Sequence, residues 1–112
     1  MRQRRHRIEI SLPTRYNPDA RGKRRLIPPE FFRITKNELM EHFAEEGLSF
    51  EFLTRMRVFG EWKRSEDEIL VMKIDVKMKA ADSAWLRQYK EMLKKRFQQE
   101  EIYIVYFDLI VV

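Results

Sequence analysis

The chain has 112 residues, no cysteine and a formal charge of +5, the size of one domain able to bury a core without disulfide or metal staples. This composition excludes disulfides, thiolate chemistry and cysteine-based zinc sites, and with His6 and His42 as the two imidazoles a multi-histidine metal centre would require several copies of the chain. No window reaches the roughly 18 to 20 consecutive apolar residues of a membrane helix, so the expectation is a soluble, cytoplasmic domain with no membrane partner and no cofactor.

Residues 1–6 form a basic arm, and residues 7–12 read as the first strand, with Ile8, Ile10 and Leu12 on one face and Arg7, Glu9 and Ser11 on the other. That alternation, unlike a continuous apolar run, separates the basic start from a secretion signal. Pro13 ends the strand. Residues 13–28 are a long basic loop, marked by Asn17-Pro18 and Gly22 and carrying Arg21, Lys23, Arg24 and Arg25.

A helix is predicted over residues 28–46, because Pro is tolerated in a first helical turn and Glu30 faces the positive end of the helix dipole. Phe32, Leu39, Met40 and Phe43 form its buried stripe, and Gly47 stops it. Inside it, Thr35-Lys36-Asn37-Glu38 matches a capping box, with Ile34 and Leu39 placed as a hydrophobic staple, so a second helix start near residue 36 is an alternative.

Residues 49–62 alternate cleanly, with Phe50, Phe52, Thr54, Met56, Val58, Gly60 and Trp62 on one face and Glu51, Leu53, Arg55, Arg57, Phe59 and Glu61 on the other. A charged turn at 63–67 leads to a third strand, where Leu70, Met72, Ile74, Val76 and Met78 face inward against Lys73, Asp75, Lys77 and Lys79. Asp82 or Ser83 caps a second helix with Trp85, Leu86, Tyr89, Met92, Leu93 and Phe97 at helical spacing. The last strand, 102–112, is apolar almost throughout.

Strand, helix, strand, strand, helix, strand with right-handed crossovers predicts an α+β, ferredoxin-like βαββαβ domain over residues 1–112: a four-stranded antiparallel sheet with two helices on one face. In the strand order 4-1-3-2 the last strand is an edge, and an apolar edge is a pairing hazard unless something covers it. At Leu12-Pro13-Thr14-Arg15-Tyr16-Asn17, Ile27-Pro28-Pro29-Glu30-Phe31-Phe32, Glu38-Leu39 with Phe43, and Gly60-Glu61-Trp62, the chain resembles small uncharacterised bacterial proteins of this ferredoxin-like pattern. The resemblance implies the fold and a bacterial cytoplasmic setting, and it carries over no catalytic residue.

Three functions compete. Self-association would use the sheet face away from the helices and the last edge: Leu53, Phe59 and Val71 with Tyr103, Val105, Phe107, Leu109 and Val111. Nucleic-acid binding would use the arm and loop, through Arg4, Arg5, Arg21, Lys23, Arg24 and Arg25. Residues 1–25 hold nine Lys or Arg against Glu9 and Asp19, whereas residues 26–112 hold fourteen against sixteen acids. Base stacking on the sheet is excluded, since the open faces of the first and third strands carry no aromatic residue. Catalysis would rest on His42 near Glu38, Glu45 and Glu46, or on Tyr103, Tyr106 and Asp108, with no Ser-His-Asp, phosphate-loop or paired-carboxylate pattern behind it. The expectation is a non-catalytic homodimeric interaction module, with a nucleic-acid-associated protein and a small dimeric enzyme as alternatives.

Overall fold

The computed structural model describes residues 3–59, 65–77, 81 and 83–112, with the backbone alone for 55–59 and 65–67. Six elements follow in order: β1 (Gln3–Pro13), α1 (Pro29–His42), β2 (Gly47–Phe59), β3 (Ser65–Lys77), α2 (Ser83–Arg96) and β4 (Tyr103–Val111). The strands form one antiparallel sheet in the order β2-β3-β1-β4, the expected ferredoxin-like βαββαβ arrangement. β1 and β3 are central, and β2 and β4 are the edges.

Period-two patterning builds the core. Ile8, Ile10 and Leu12 of β1 and Met72, Ile74 and Val76 of β3 are buried, and they meet Leu39 and Phe43 from α1 and Leu86, Tyr89 and Leu93 from α2. Ile10 stands opposite Met72 on one side and Ile104 on the other. Removing each such side chain from water stabilises the fold by about 1.5–3 kcal/mol. Phe97 and Ile102, beyond the end of α2, close the same core.

Several boundaries differ from expectation. The basic arm is strand: β1 pairs from Gln3 onward, with Arg5 opposite Lys77 on β3 and Leu109 on β4. Arg4 and Arg5 are therefore ladder residues. The 13–28 loop is also ordered. Arg15 and Leu26 form a β-bridge, Tyr16 N–H donates to the Arg25 carbonyl at 2.8 Å, and Ile27 N–H donates to that of Thr14 at 2.9 Å.

Helix α1 is continuous through Thr35 and stops at His42, a turn earlier than expected, with Phe43 as its C-cap and Gly47 already opening β2. The capping box does not form. Thr35 Oγ1 donates to the Phe31 carbonyl one turn back at 2.7 Å, and Glu38 reaches α2 instead. Met40 and Met92, placed on buried stripes by spacing, are substantially exposed, as is Phe52 on the edge strand β2. β3 begins at Ser65, inside the expected turn, while Gly60, Trp62, Met78, Lys79 and Asp82 lie outside the described residues.

Candidate functional site

β4 lies against β1 with an unbroken register from Ser11↔Tyr103 to Gln3↔Val111, and its other edge is unpaired in the sheet. Its sequence, Tyr-Ile-Val-Tyr-Phe-Asp-Leu-Ile-Val, contains no Pro, Gly or Lys, the residues that ordinarily blunt an edge. Side chains on both faces are open to solvent: Tyr103 at 64%, Phe107 at 42%, Tyr106 at 44% and Ile110 at 53% relative exposure. Val105 and Leu109 are half-buried and Val111 is exposed.

The strand's single charge is compensated within the chain. His6 Nε2 lies 2.7 Å from Asp108 Oδ1, and Arg4 Nη2 lies 3.6 Å from Asp108 Oδ2. The Tyr106 ring is tilted against His6 at 6.0 Å between centroids. The opposite edge differs. β2 has a register shift between Gly47 and Ser49 and carries Glu51 ion-paired with Lys73 at 3.4 Å, the bulge and charges that keep an edge from pairing.

The helix-free face behind β4 is closed at its centre by ions. Arg7 on β1 sits directly across from Asp75 on β3 and donates two hydrogen bonds to it, from Nε at 2.6 Å and Nη2 at 2.9 Å. Arg5 Nη1 adds a contact at 3.7 Å. Asp75 is buried, and the Arg7 hydrogen bonds hold its carboxyl below the usual carboxylate range. Arg5 Nε and His6 Nδ1, neighbours on β1, are buried without a hydrogen-bond partner among the described residues.

Of the residues assigned to self-association, Tyr103, Val105, Phe107, Leu109 and Val111 share this face along β4, and half-buried Leu53 lies on it at β2. Val71 is a correction. It stands between Ser11 and Leu53 on the flanking strands and has no exposed surface to offer a partner. The side chain of Phe59 lies outside the description.

The residues assigned to nucleic acid divide. Arg4 and Arg5 are drawn into the sheet and its ion pairs, whereas Arg21, Lys23, Arg24 and Arg25 stay together on the 14–27 ribbon. Arg24 Nε donates to the Tyr16 carbonyl at 3.1 Å.

The catalytic candidates come apart. Tyr103 and Tyr106 point to opposite faces of β4, as residues three apart in a strand must. His42 stacks on Trp85 with ring centroids 3.6 Å apart and planes 7° from parallel. Glu38 faces α2, where it takes two hydrogen bonds from Arg96 and one from Tyr89. Among the described residues no three His, Asp or Glu gather as a metal site. An apolar groove of about 250 Å³ between the end of α1 and the start of β2 is lined by Leu39, Met40, Phe43, Leu48, Phe50 and Ile74, with no titratable side chain on its wall.

Sequence reasoning missed the Arg7–Asp75 and His6–Asp108 pairs. The signal available was opposite charge on same-face positions of two strands, but pairing them requires the register. Compared with known proteins, the chain matches no family model, no curated protein and no solved structure. Among the described residues no helix is long and apolar enough to cross a membrane.

Proposed function

We propose that this protein works as a homodimeric interaction module in which β4 of one copy pairs antiparallel with β4 of a second, joining two four-stranded sheets into one. The observation that carries this reading is the contrast between the two edges. β2 bears a bulge and charged side chains, while β4 is unbroken and apolar on both faces apart from Asp108, which is paired within the chain.

A free edge exposes a row of N–H and C=O groups that a matching strand satisfies, and identical strands meet naturally about a two-fold axis. On the helix-free face, Tyr103, Val105 and Phe107 of both copies would then adjoin. Their burial contributes about 25 cal/mol per Å² of apolar surface removed from water. Because Asp108 is already paired with His6 and Arg4, apposing two copies brings no uncompensated charges together. The central ion pairs make the open face itself a poorer partner, since covering Arg7 and Asp75 further gains no apolar burial.

Light scattering behind a sizing column tests this. The expected mass is twice the 13.8 kDa of the chain at high micromolar concentration, falling toward one chain on dilution. A single-chain mass at every concentration overturns the proposal.

A further inference from the structure

The 14–27 ribbon is a loop whose two arms are joined by one antiparallel β-bridge, Arg15↔Leu26. Its base is anchored on the helix side of the core by buried Ile27 and by Tyr16, and Thr14 Oγ1 donates to the Glu68 carbonyl at 2.9 Å. Its tip is a tight turn. Gly22 N–H donates to the Asp19 carbonyl and Asp19 N–H to that of Lys23, each at 2.9 Å, with Gly22 at φ 77°, a conformation glycine adopts without steric cost. The Asp19 carboxylate accepts from the Arg21 and Lys23 backbone N–H groups, both at 2.9 Å.

This construction separates the ribbon's charges. Its one acid, exposed Asp19, is engaged by the backbone N–H groups of the turn, whereas exposed Arg15, Arg21, Lys23 and Arg25 form no ion pair among the described residues. Elsewhere Arg4, Arg7, Lys73, Lys90, Lys94 and Arg96 each meet a carboxylate. Among the described residues these four exposed cations lie close together in sequence on one segment, on a backbone held by its own hydrogen bonds.

We infer that this ribbon is a docking element for the phosphodiester backbone of a nucleic acid, with Arg15, Arg21, Lys23 and Arg25 as its phosphate contacts. Three of the four are arginine, whose planar fork matches phosphate oxygens two at a time. A loop already held by its own hydrogen bonds loses less conformational entropy on docking than an open one. The tip residues Asn17, Pro18, Asp19, Ala20 and Gly22 offer no apolar wedge, which disfavours insertion into a lipid surface. Nothing on the ribbon is shaped to read one sequence, so recognition is of the backbone.

The test is fluorescence anisotropy with a labelled mixed-sequence 20-mer duplex, titrated from low salt upward, beside sedimentation with phosphatidylserine-containing vesicles. Duplex binding should weaken with salt at a log–log slope of about −3 to −4 per ribbon, since each neutralised phosphate contributes about −0.9. The triple variant R21A/K23A/R25A, folded as judged by circular dichroism, should shrink that slope by roughly 2–3, and Lys23→Glu should weaken binding further than Lys23→Ala. No binding at low salt, a triple variant that binds like the parent, or capture by vesicles without binding to duplex overturns the inference.

Discussion

Arg96 near the end of α2 holds Glu38 on α1 with two hydrogen bonds, from Nη1 to Oε1 at 2.6 Å and from Nη2 to Oε2 at 3.0 Å. Arg96 Nη1 also donates to Thr35 Oγ1 at 2.8 Å, and Tyr89 Oη donates to Glu38 Oε1 at 3.0 Å. The two helices are thus joined by a polar cluster as well as by apolar packing. Arg96 keeps Glu38 ionised below its ordinary range, and burial together with Glu38 pushes the Tyr89 hydroxyl well up.

Removing one partner leaves the others with unmet hydrogen bonds, so Glu38→Gln or Arg96→Met should each cost about 1–3 kcal/mol. The double variant should lose less than the sum, because no lone charge then remains. Thermal melts check this at about 4–8 °C per kcal/mol for a domain of this size class. Additive losses would show that the pair is not coupled.

Acid should weaken the fold through Asp75 and Glu38. Both have folded-state values depressed, Asp75 by the Arg7 hydrogen bonds first and Glu38 by those of Arg96. A depressed carboxylate contributes stability that is present above its unfolded value, about 3.9 for Asp and 4.3 for Glu. That stability is lost as pH falls through the folded value. Urea midpoints should therefore fall below about pH 4, with a shallower fall in Asp75→Asn. An acid limb of unchanged steepness in that variant would remove Asp75 from the account.

Two backbone positions should respond in opposite directions to glycine exchange. At Gly47 an added Cβ would lie 2.8 Å from the Phe43 carbonyl oxygen, the same oxygen that accepts the Gly47 N–H at 2.7 Å, so Gly47→Ala should cost more than about 1 kcal/mol. Gln98 ends α2 at φ 53°, with Gln99 N–H donating to the Lys94 carbonyl at 2.9 Å and Gln98 N–H to that of Lys95 at 3.3 Å, a Schellman cap that ordinarily holds glycine. Gln98→Gly should stabilise by up to about 1 kcal/mol. Chemical denaturation of the two variants decides both signs.

If β4 pairs with a second copy, alternate amides of Tyr103–Val111 that point away from β1 should gain hydrogen-exchange protection as concentration rises, while those bonded to β1 stay unchanged. Phe107→Lys places a charge on the helix-free side of the strand and should shift the dimer toward monomer by at least tenfold in dissociation constant, about 1.4 kcal/mol, with the melting curve of the dilute protein little altered. Uniform protection at all concentrations would place the contact elsewhere.

Alternation in Ile8-Glu9-Ile10-Ser11-Leu12 and in Leu70 to Val76, and the 3.6-residue spacing of Leu86, Tyr89 and Leu93, determined the elements, their order and which face of each meets the core. These are local properties: side-chain direction follows the backbone repeat, and apolar faces must be buried together. The chain order with right-handed crossovers, in the strand order usual for it, makes β4 an edge.

Only the tertiary structure decided what each polar residue does. Thr35-Lys36-Asn37-Glu38 carries a local helix-start pattern, yet Arg96, 58 residues away, takes Glu38, and a charged, doubly hydrogen-bonded partner outweighs a single local cap. Arg4 and Arg5 look like a solvated arm until the register places Asp108 and Asp75 within their reach. Asp19 counts as one more acid in a basic loop until the turn folds and directs its carboxylate onto backbone N–H groups. Charges act through space at a few ångströms, and those separations exist only once strands are in register, so the fold was legible in the spacing of apolar residues while the electrostatics of β4 and of the 14–27 ribbon were not.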